Sequence, residues 1–77
     1  VRRWSLVSQA FHIRLREVRK ASGLNQEDAA RALGIAYSTY RRYEQGGTVP
    51  DIMTAAKFAD FFRTSLDYLA GRTDPRP

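Results

Sequence analysis

The chain has 77 residues, the length of one small domain with a single hydrophobic core. It has no cysteine and one histidine, which excludes a disulfide scaffold, a cysteine-ligated zinc site and thiol catalysis. Hydrophobic residues make up 43% and charged residues 27%, as in a globular domain and not in a disordered chain. No apolar stretch is long enough to span a membrane and no signal peptide is visible, so we expect a cytoplasmic domain without metal or other cofactor.

The net charge of +5 is concentrated in the first 23 residues, while the rest of the chain is balanced. Most of the cations are arginines, whose guanidinium group pairs with phosphate through two hydrogen bonds. This pattern favours a polyanionic partner. A solvated basic helix without any partner explains the charge equally well, so charge alone does not distinguish these two interpretations.

Apolar spacing and end signals predict the first two helices. Phe11, Leu15 and Val18 fall at i, i+4 and i+7, which defines the buried face of the first helix. Gly23 is placed to end that helix, and Asn25 is placed to cap a second helix. The second helix has three buried residues and a glycine at its end: Ala29, Ala30, Leu33 and Gly34.

Three more helices are predicted further along the chain. The third runs from about Tyr37 to Gln45, and Pro50 is expected at the first helical position of the fourth. Ser65 is expected to cap a short fifth helix, Leu66 to Ala70. The sequence shows no strand pattern and no repeat, so the predicted class is all-α. The apolar residues assigned to the fourth helix are Ile52, Ala55, Ala56, Phe58, Ala59 and Phe62.

The second and third helices are joined by a short turn, Leu33-Gly34-Ile35-Ala36, that contains glycine. Such a turn is typical of a helix-turn-helix, whose second helix enters the DNA major groove. The pattern is weak by itself, because many small helical bundles contain a similar turn. The arginine-rich first helix strengthens the interpretation.

Four motifs occur in a fixed order: GLNQEDAARALGI at residues 23–35, STYRRYEQG at residues 38–46, Pro50, and SLDYLAG at residues 65–71. Together they resemble the signatures of the phage-repressor, Cro-like helix-turn-helix family. The resemblance implies a compact, five-helix, lambda-repressor-like fold. It also implies a transcriptional regulator, usually a repressor, that acts at the nucleoid and is not an enzyme.

The resemblance covers residues 11–71, which we take as the DNA-binding domain. Residues 1–10 are then an extension or the start of helix one, and residues 72–77 are a tail. The implied partner is double-stranded DNA with a palindromic operator, bound by a homodimer, because one recognition helix reads few base pairs. We infer no small-molecule ligand.

The resemblance implies roles for individual residues. Those that reach base edges are Tyr37, Ser38, Thr39, Arg41 and Arg42. Those that contact phosphates are Asn25, Gln26, Gln45, Tyr43 and Arg16. Gln26 also braces the recognition helix, and Tyr40 belongs to the core. Arg19 and Glu44 are implied as a partly buried ion pair, which leaves Arg14, Arg16 or Lys20 near the DNA backbone.

The sequence departs from the family pattern at three places. Ala36 stands where a serine or threonine usually caps the third helix. Arg63 stands where glycine is common, so we expect a positive φ there or a different helix end. A large residue is usual at Ala29 and a small one at Phe61, so we expect Phe61 to fill the space over Ala29.

Three other classes of function are weighed against DNA binding. A catalytic triad through His12 has little support, because His12 is the single histidine and no pair of carboxylates accompanies it. A membrane-surface segment at residues 1–20 conflicts with the use of its apolar residues in the core. The remaining alternative is an antitoxin-like helix-turn-helix protein that also binds a partner protein. Trp4, Leu6 and Val7 lie outside the family match and are candidates for that surface or for a dimer contact.

Overall fold

The computed structural model of the chain describes the backbone of residues 2–72 and the side chains of residues 9–72. The described part contains α1 (Arg2–Ala21), α2 (Gln26–Leu33), α3 (Tyr37–Gln45), α4 (Ile52–Phe61) and α5 (Leu66–Leu69). Residues 2–72 contain no strand, so the predicted all-α class is confirmed. Within the same range, no helix combines the length and apolar character needed to cross a membrane.

The predicted bounds of α3 are confirmed, and α1 begins before the predicted domain, so that residues 2–10 belong to it. The side chains of Trp4, Leu6 and Val7 lie outside the described residues, as does the tail after Arg72. The surface that these three side chains offered to a partner protein therefore stays a prediction.

The core is built from one face of each helix. α1 packs against α3 and α5, and α2 packs against α3 and α4. Tyr40 and Phe58 are fully buried at the centre, with ring centroids 6.0 Å apart, which confirms Tyr40 as a core residue. The buried hydrophobic residues of the core cluster are Phe11, Leu15, Ala29, Ala30, Leu33, Tyr40, Phe58, Ala59 and Leu69.

The turn between α2 and α3 is held by a backbone hydrogen bond to α2 and by a side-chain hydrogen bond from α4. Gly34 ends α2 in the left-handed region at φ 76°, and the N–H of Ile35 donates to the carbonyl of Ala30 at 3.1 Å. From α4, the Nζ of Lys57 donates to the carbonyl of Leu33 at 3.1 Å. These bonds satisfy carbonyls that a helix end leaves open, and they fix the angle at which α3 leaves α2.

The prediction that Pro50 is the first helical residue of α4 is wrong. Asp51 caps α4, because its Oδ1 accepts the N–H of Thr54 at 2.8 Å, and the helix begins one residue later. This hydrogen bond also lowers the pKa of the Asp51 carboxyl. Ile52, one of the apolar residues assigned to α4, is 68% exposed, since it lies in the first turn while Ala55 and Phe58 face the core.

The end of α4 confirms the expectation for Arg63. Arg63 has φ 58°, the left-handed conformation that glycine usually supplies at this point. Phe61 is 40% exposed, packs edge-on against Phe62 with centroids 4.9 Å apart, and lies outside the buried cluster that contains Ala29. The expected filling of the space over Ala29 by Phe61 stays a prediction.

The first turn of α3 has no side-chain cap, since Ala36 has N-cap geometry (φ −67°, ψ 142°) but no group that accepts a hydrogen bond. We expect Ala36→Ser to raise the free energy of unfolding by about 1 kcal/mol, because the hydroxyl can accept the N–H of Thr39. In a domain of this size that corresponds to a rise in Tm of roughly 4–8 °C.

Thermal denaturation of the variant measures this effect. The matched control is Ala32→Ser, which places the same side chain at an exposed position inside α2. This control should lower the Tm slightly, because serine is a poorer helix former than alanine. An unchanged or lower Tm for Ala36→Ser would contradict the assignment of Ala36 as the N-cap.

Candidate nucleic-acid interface

One face of α3 carries only exposed polar side chains. Ser38 and Arg42 lie one helical turn apart, and Gln45 follows three residues later, so all three share this face. Tyr40 and Glu44 occupy the opposite, buried face. We call Ser38, Arg42 and Gln45 the exposed face of α3.

The N-terminal end of α3 adds an ordered pair of side chains beside this face. Tyr37 is 41% exposed, and the guanidinium carbon of Arg41 lies 5.5 Å from the centroid of its ring. A cation at this distance over a tyrosine ring is attracted to it, which restricts where Arg41 points. Thr39 is half-buried. Of the five residues implied to reach base edges, Thr39 alone is not exposed.

The buried side of α3 is held by a hydrogen-bond network around the carboxylate of Glu44, which is 1% exposed. The Nε of Arg19 donates to Oε2 at 2.7 Å and its Nη2 to Oε1 at 3.2 Å. Gln26 donates to Oε1 at 3.0 Å, and the Tyr40 hydroxyl donates to Oε2 at 2.5 Å. The structure thus brings together Arg19 and Glu44, the pair that the family resemblance implied, and adds two more donors.

The network sets the ionisation of its members. Burial by itself would raise the pKa of Glu44, but the hydrogen bonds from Arg19, Tyr40 and Gln26 outweigh burial and lower that pKa below its ordinary value. The bond to Glu44 raises the pKa of Arg19. Burial, and then the bond to Glu44, raise the pKa of Tyr40. At neutral pH the network therefore holds one carboxylate, one guanidinium and one neutral phenol.

The candidate phosphate-contacting residues gather where the start of α2 meets the end of α3. The bond from Gln26 to Glu44 joins these two helix ends, and Gln45 is exposed beside it. Asn25 caps α2 through its Oδ1, which accepts the N–H of Asp28 at 2.8 Å. The other two candidates are Tyr43 and Arg16. Tyr43 is half-buried with its ring on Phe58, and Arg16 is exposed on α1.

Arg14 has a structural role that sequence reasoning missed. Its Nη1 donates to the carbonyl of Tyr68 at 2.8 Å, and its guanidinium carbon lies 4.5 Å from the centroid of the Tyr68 ring. Arg14 therefore ties α1 to α5, whereas Arg16 and Lys20 are exposed. The available signal was its position three residues after Phe11, which places it at the edge of the buried face of α1.

The single histidine packs against the end of α3. Gly46 ends α3 at φ 93°, and a Cβ added there would lie 2.8 Å from the Cδ2 of His12. Both the backbone conformation and this close approach require glycine at position 46. His12 is half-buried in this contact, which gives it a packing role between α1 and α3.

Comparison with known proteins gives consistent matches. The helix-turn-helix family profile matches residues 15–69. The HTH-type transcriptional regulator AnsR of Bacillus subtilis is 44% identical over 59 residues, which is 77% of this chain and 51% of that protein. The cryptic phage CTXphi transcriptional repressor RstR of Vibrio cholerae is 36% identical over 64 residues, covering 83% of this chain and 58% of RstR.

A third relative is the HTH-type transcriptional regulator ImmR of Bacillus subtilis, which is 34% identical over 61 residues, 79% of this chain and 48% of ImmR. The chain spans about half the length of these relatives. No solved structure matches the chain.

The network around Glu44 generates a stability prediction. We expect Glu44→Gln to lower the free energy of unfolding at neutral pH by about 3–5 kcal/mol, because the buried Arg19 guanidinium loses its counter-charge. Urea denaturation measures the change. The control is Asp28→Asn, which removes the charge of an exposed ion pair with Arg31 at 3.0 Å. This substitution should lower the free energy of unfolding by less than about 1 kcal/mol.

The same variant has a predicted pH dependence. Because the folded-state pKa of Glu44 lies below its unfolded value, the stabilisation is complete above about pH 4.3 and is lost as the pH falls through the folded-state pKa. The difference in Tm between wild type and Glu44→Gln should therefore shrink as the pH is lowered below about 4. A difference that stays constant down to about pH 2 would contradict an ionised Glu44.

Proposed function

Because the chain belongs to the helix-turn-helix family of Cro-like regulators, we propose that it binds a specific site in double-stranded DNA and acts as a transcriptional repressor. The observation that supports this proposal is the exposed face of α3, whose opposite side is braced by the buried pair of Arg19 and Glu44. An α-helix fits the major groove of B-DNA. A braced helix loses little further freedom on binding, which favours affinity.

Arg42 is the proposed centre of base recognition. It lies in the middle of the exposed face of α3, and its guanidinium can donate two hydrogen bonds to the O6 and N7 of a guanine. Ser38 lies one turn earlier on the same face and can contact an adjacent base. Tyr37, Thr39 and Arg41 complete the proposed base-contacting set at the start of the helix.

Gln26 is proposed to bind a DNA phosphate while it also donates to Glu44 on the buried side of α3. Its Nε2 carries two hydrogens, of which one is donated to Glu44, so the other can be donated to a phosphate oxygen. Gln26 is also the first residue of α2, where unpaired backbone N–H groups attract anions. The remaining proposed phosphate contacts are made by Asn25, Tyr43, Gln45 and Arg16.

We propose that the functional unit is a homodimer on a palindromic operator. One recognition helix reads few base pairs, so two half-sites about one turn of DNA apart supply the specificity that one lacks. Repression is favoured over activation by the name of RstR, which is a transcriptional repressor. Selection of bound duplexes from a random library tests this proposal. We expect the selected sequences to share a palindrome. The absence of any enriched sequence would contradict the proposal.

Arg42→Ala should lower affinity for the selected operator and relax the preference at one base position in each half-site. The loss of discrimination at that position should be about 1–3 kcal/mol, the value of a two-bond contact with guanine. Binding to a panel of single-base operator variants at two salt concentrations measures this. The control is Arg31→Ala, which removes the same charge from an exposed position on α2.

The control should leave the ranking of operator variants unchanged. If Arg42 contacted only phosphate, its removal would reduce the slope of log affinity against log salt by about one per protomer without altering the ranking. An unaltered ranking for Arg42→Ala would therefore exclude Arg42 as a base-reading residue.

A further inference from the structure

The first residue of α3 and the arginine one turn later form an ordered pair, which we call the Tyr37–Arg41 pair. The guanidinium carbon of Arg41 lies 5.5 Å from the centroid of the Tyr37 ring. Among the residues whose side chains the structure describes, the Arg41 guanidinium has neither a hydrogen bond nor an ion pair. Its N–H donors are therefore available to a ligand, while the attraction to the ring limits the directions in which they point.

This environment distinguishes Arg41 from other arginines of the chain. Arg14, Arg19 and Arg31 donate hydrogen bonds to groups within the chain. Arg41 and Arg42 are the two arginines of α3, and both are exposed. Of these two, Arg41 alone lies over an aromatic ring in the part of the chain whose side chains are described. A side chain that is already restrained loses less freedom on binding, so Arg41 is suited to a contact of fixed geometry.

The ring of Tyr37 is itself accessible at the end of α3 where base contacts are expected. Tyr37 is 41% exposed and is the first residue of the helix. In helix-turn-helix proteins the N-terminal residues of the recognition helix contact base edges. Apolar side-chain surface in the major groove can contact the C5-methyl group of thymine, which projects there. The ring therefore offers an apolar contact beside the donors of Arg41.

We propose that the Tyr37–Arg41 pair recognises two adjacent base pairs as one unit. Arg41 donates two hydrogen bonds to the O6 and N7 of a guanine, and the Tyr37 ring contacts the C5-methyl group of a pyrimidine. Successive base pairs lie about 3.4 Å apart along the DNA, so groups 5.5 Å apart reach the same pair or adjacent pairs. An unmodified G·C pair carries no methyl group, which places the methylated pyrimidine in the adjacent pair.

This contact makes binding sensitive to cytosine methylation. Thymine and 5-methylcytosine both carry the methyl group in the major groove, whereas uracil and cytosine lack it. The Tyr37–Arg41 pair therefore favours a 5-methylpyrimidine, and methylation of a cytosine at this position of the operator raises affinity. The inference rests on the proposed function, because it requires a specific DNA site that is bound by α3.

Arg41→Ala locates the base pairs involved. Against a panel of single-base variants of the selected operator, it should lose the preference for guanine at one position per half-site, distinct from the position that Arg42→Ala relaxes. The preference lost should be about tenfold or more. Tyr37→Ala should weaken the same guanine preference, because the ring no longer restrains Arg41, and Tyr37→Phe, which keeps a ring, should retain it. If Arg41→Ala lowers only the salt dependence of binding, Arg41 contacts phosphate and the proposal is wrong.

Duplexes that differ by one methyl group then test the contact of the ring. In the base pair adjacent to that guanine, thymine is compared with uracil, and 5-methylcytosine with cytosine. Wild type should bind the methylated duplex of each comparison about fourfold more tightly, the value of one buried methyl group. Tyr37→Ala should bind both duplexes equally, whereas Tyr37→Phe should keep the ratio.

The matched control is Phe61→Ala, which removes a ring of similar exposure, 40%, from the end of α4. It should leave the fourfold ratio unchanged, and circular dichroism verifies that each variant keeps its helix content. Equal binding of wild type to both duplexes in both comparisons, or a ratio that persists in Tyr37→Ala, would overturn the proposal while the proposed function stands. If selection enriches no DNA sequence, the proposed function fails and this inference fails with it.

Discussion

A carboxylate that is 1% exposed keeps its charge only where protein donors replace the water that it has lost, and Glu44 meets this condition. Its donors come from three helices: Arg19 from α1, Gln26 from α2 and Tyr40 from α3. Because all of them converge on two oxygen atoms, neither the rotation of α3 nor its distance from α1 and α2 can change without leaving a buried polar group unpaired. The direction of the exposed face of α3 depends on this constraint.

The rest of the fold supports the same arrangement. The turn after α2 is closed by its own backbone and by Lys57 from α4, while Arg14 joins α1 to α5. Tyr40 takes part in both the core and the network, since its ring packs near Phe58 and its hydroxyl donates to Glu44. Apolar packing and the buried polar network therefore stabilise the same position of α3.

The molecule has two exposed surfaces of different chemistry. The exposed face of α3 is polar and positively charged, as recognition of DNA requires, whereas the surface formed by α5 and the start of α4 holds a mainly apolar groove lined also by Asp67 and Arg72. The connection between α3 and α4 is short, so the position of one surface restricts that of the other.

The sequence by itself determined the features that depend on neighbouring residues. Asn25, Gly34 and Ser65 mark helix ends through caps and a left-handed glycine, and the residues from Tyr37 to Gln45 form α3 as predicted. The family resemblance pointed to Arg19 and Glu44 as a pair, with Glu44 inside a motif and Arg19 in the helix before the first one.

Only the tertiary structure decided the contacts between residues far apart in the chain. Arg14 and Tyr68 are 54 residues apart, and nothing in the local pattern of either one predicts their hydrogen bond. The bond from Lys57 to the carbonyl of Leu33 and the exposure of Ile52 likewise follow from how the helices pack. Local signals specify which residues are helical and which face is apolar, but the pairing of polar side chains depends on distances that arise when the helices meet.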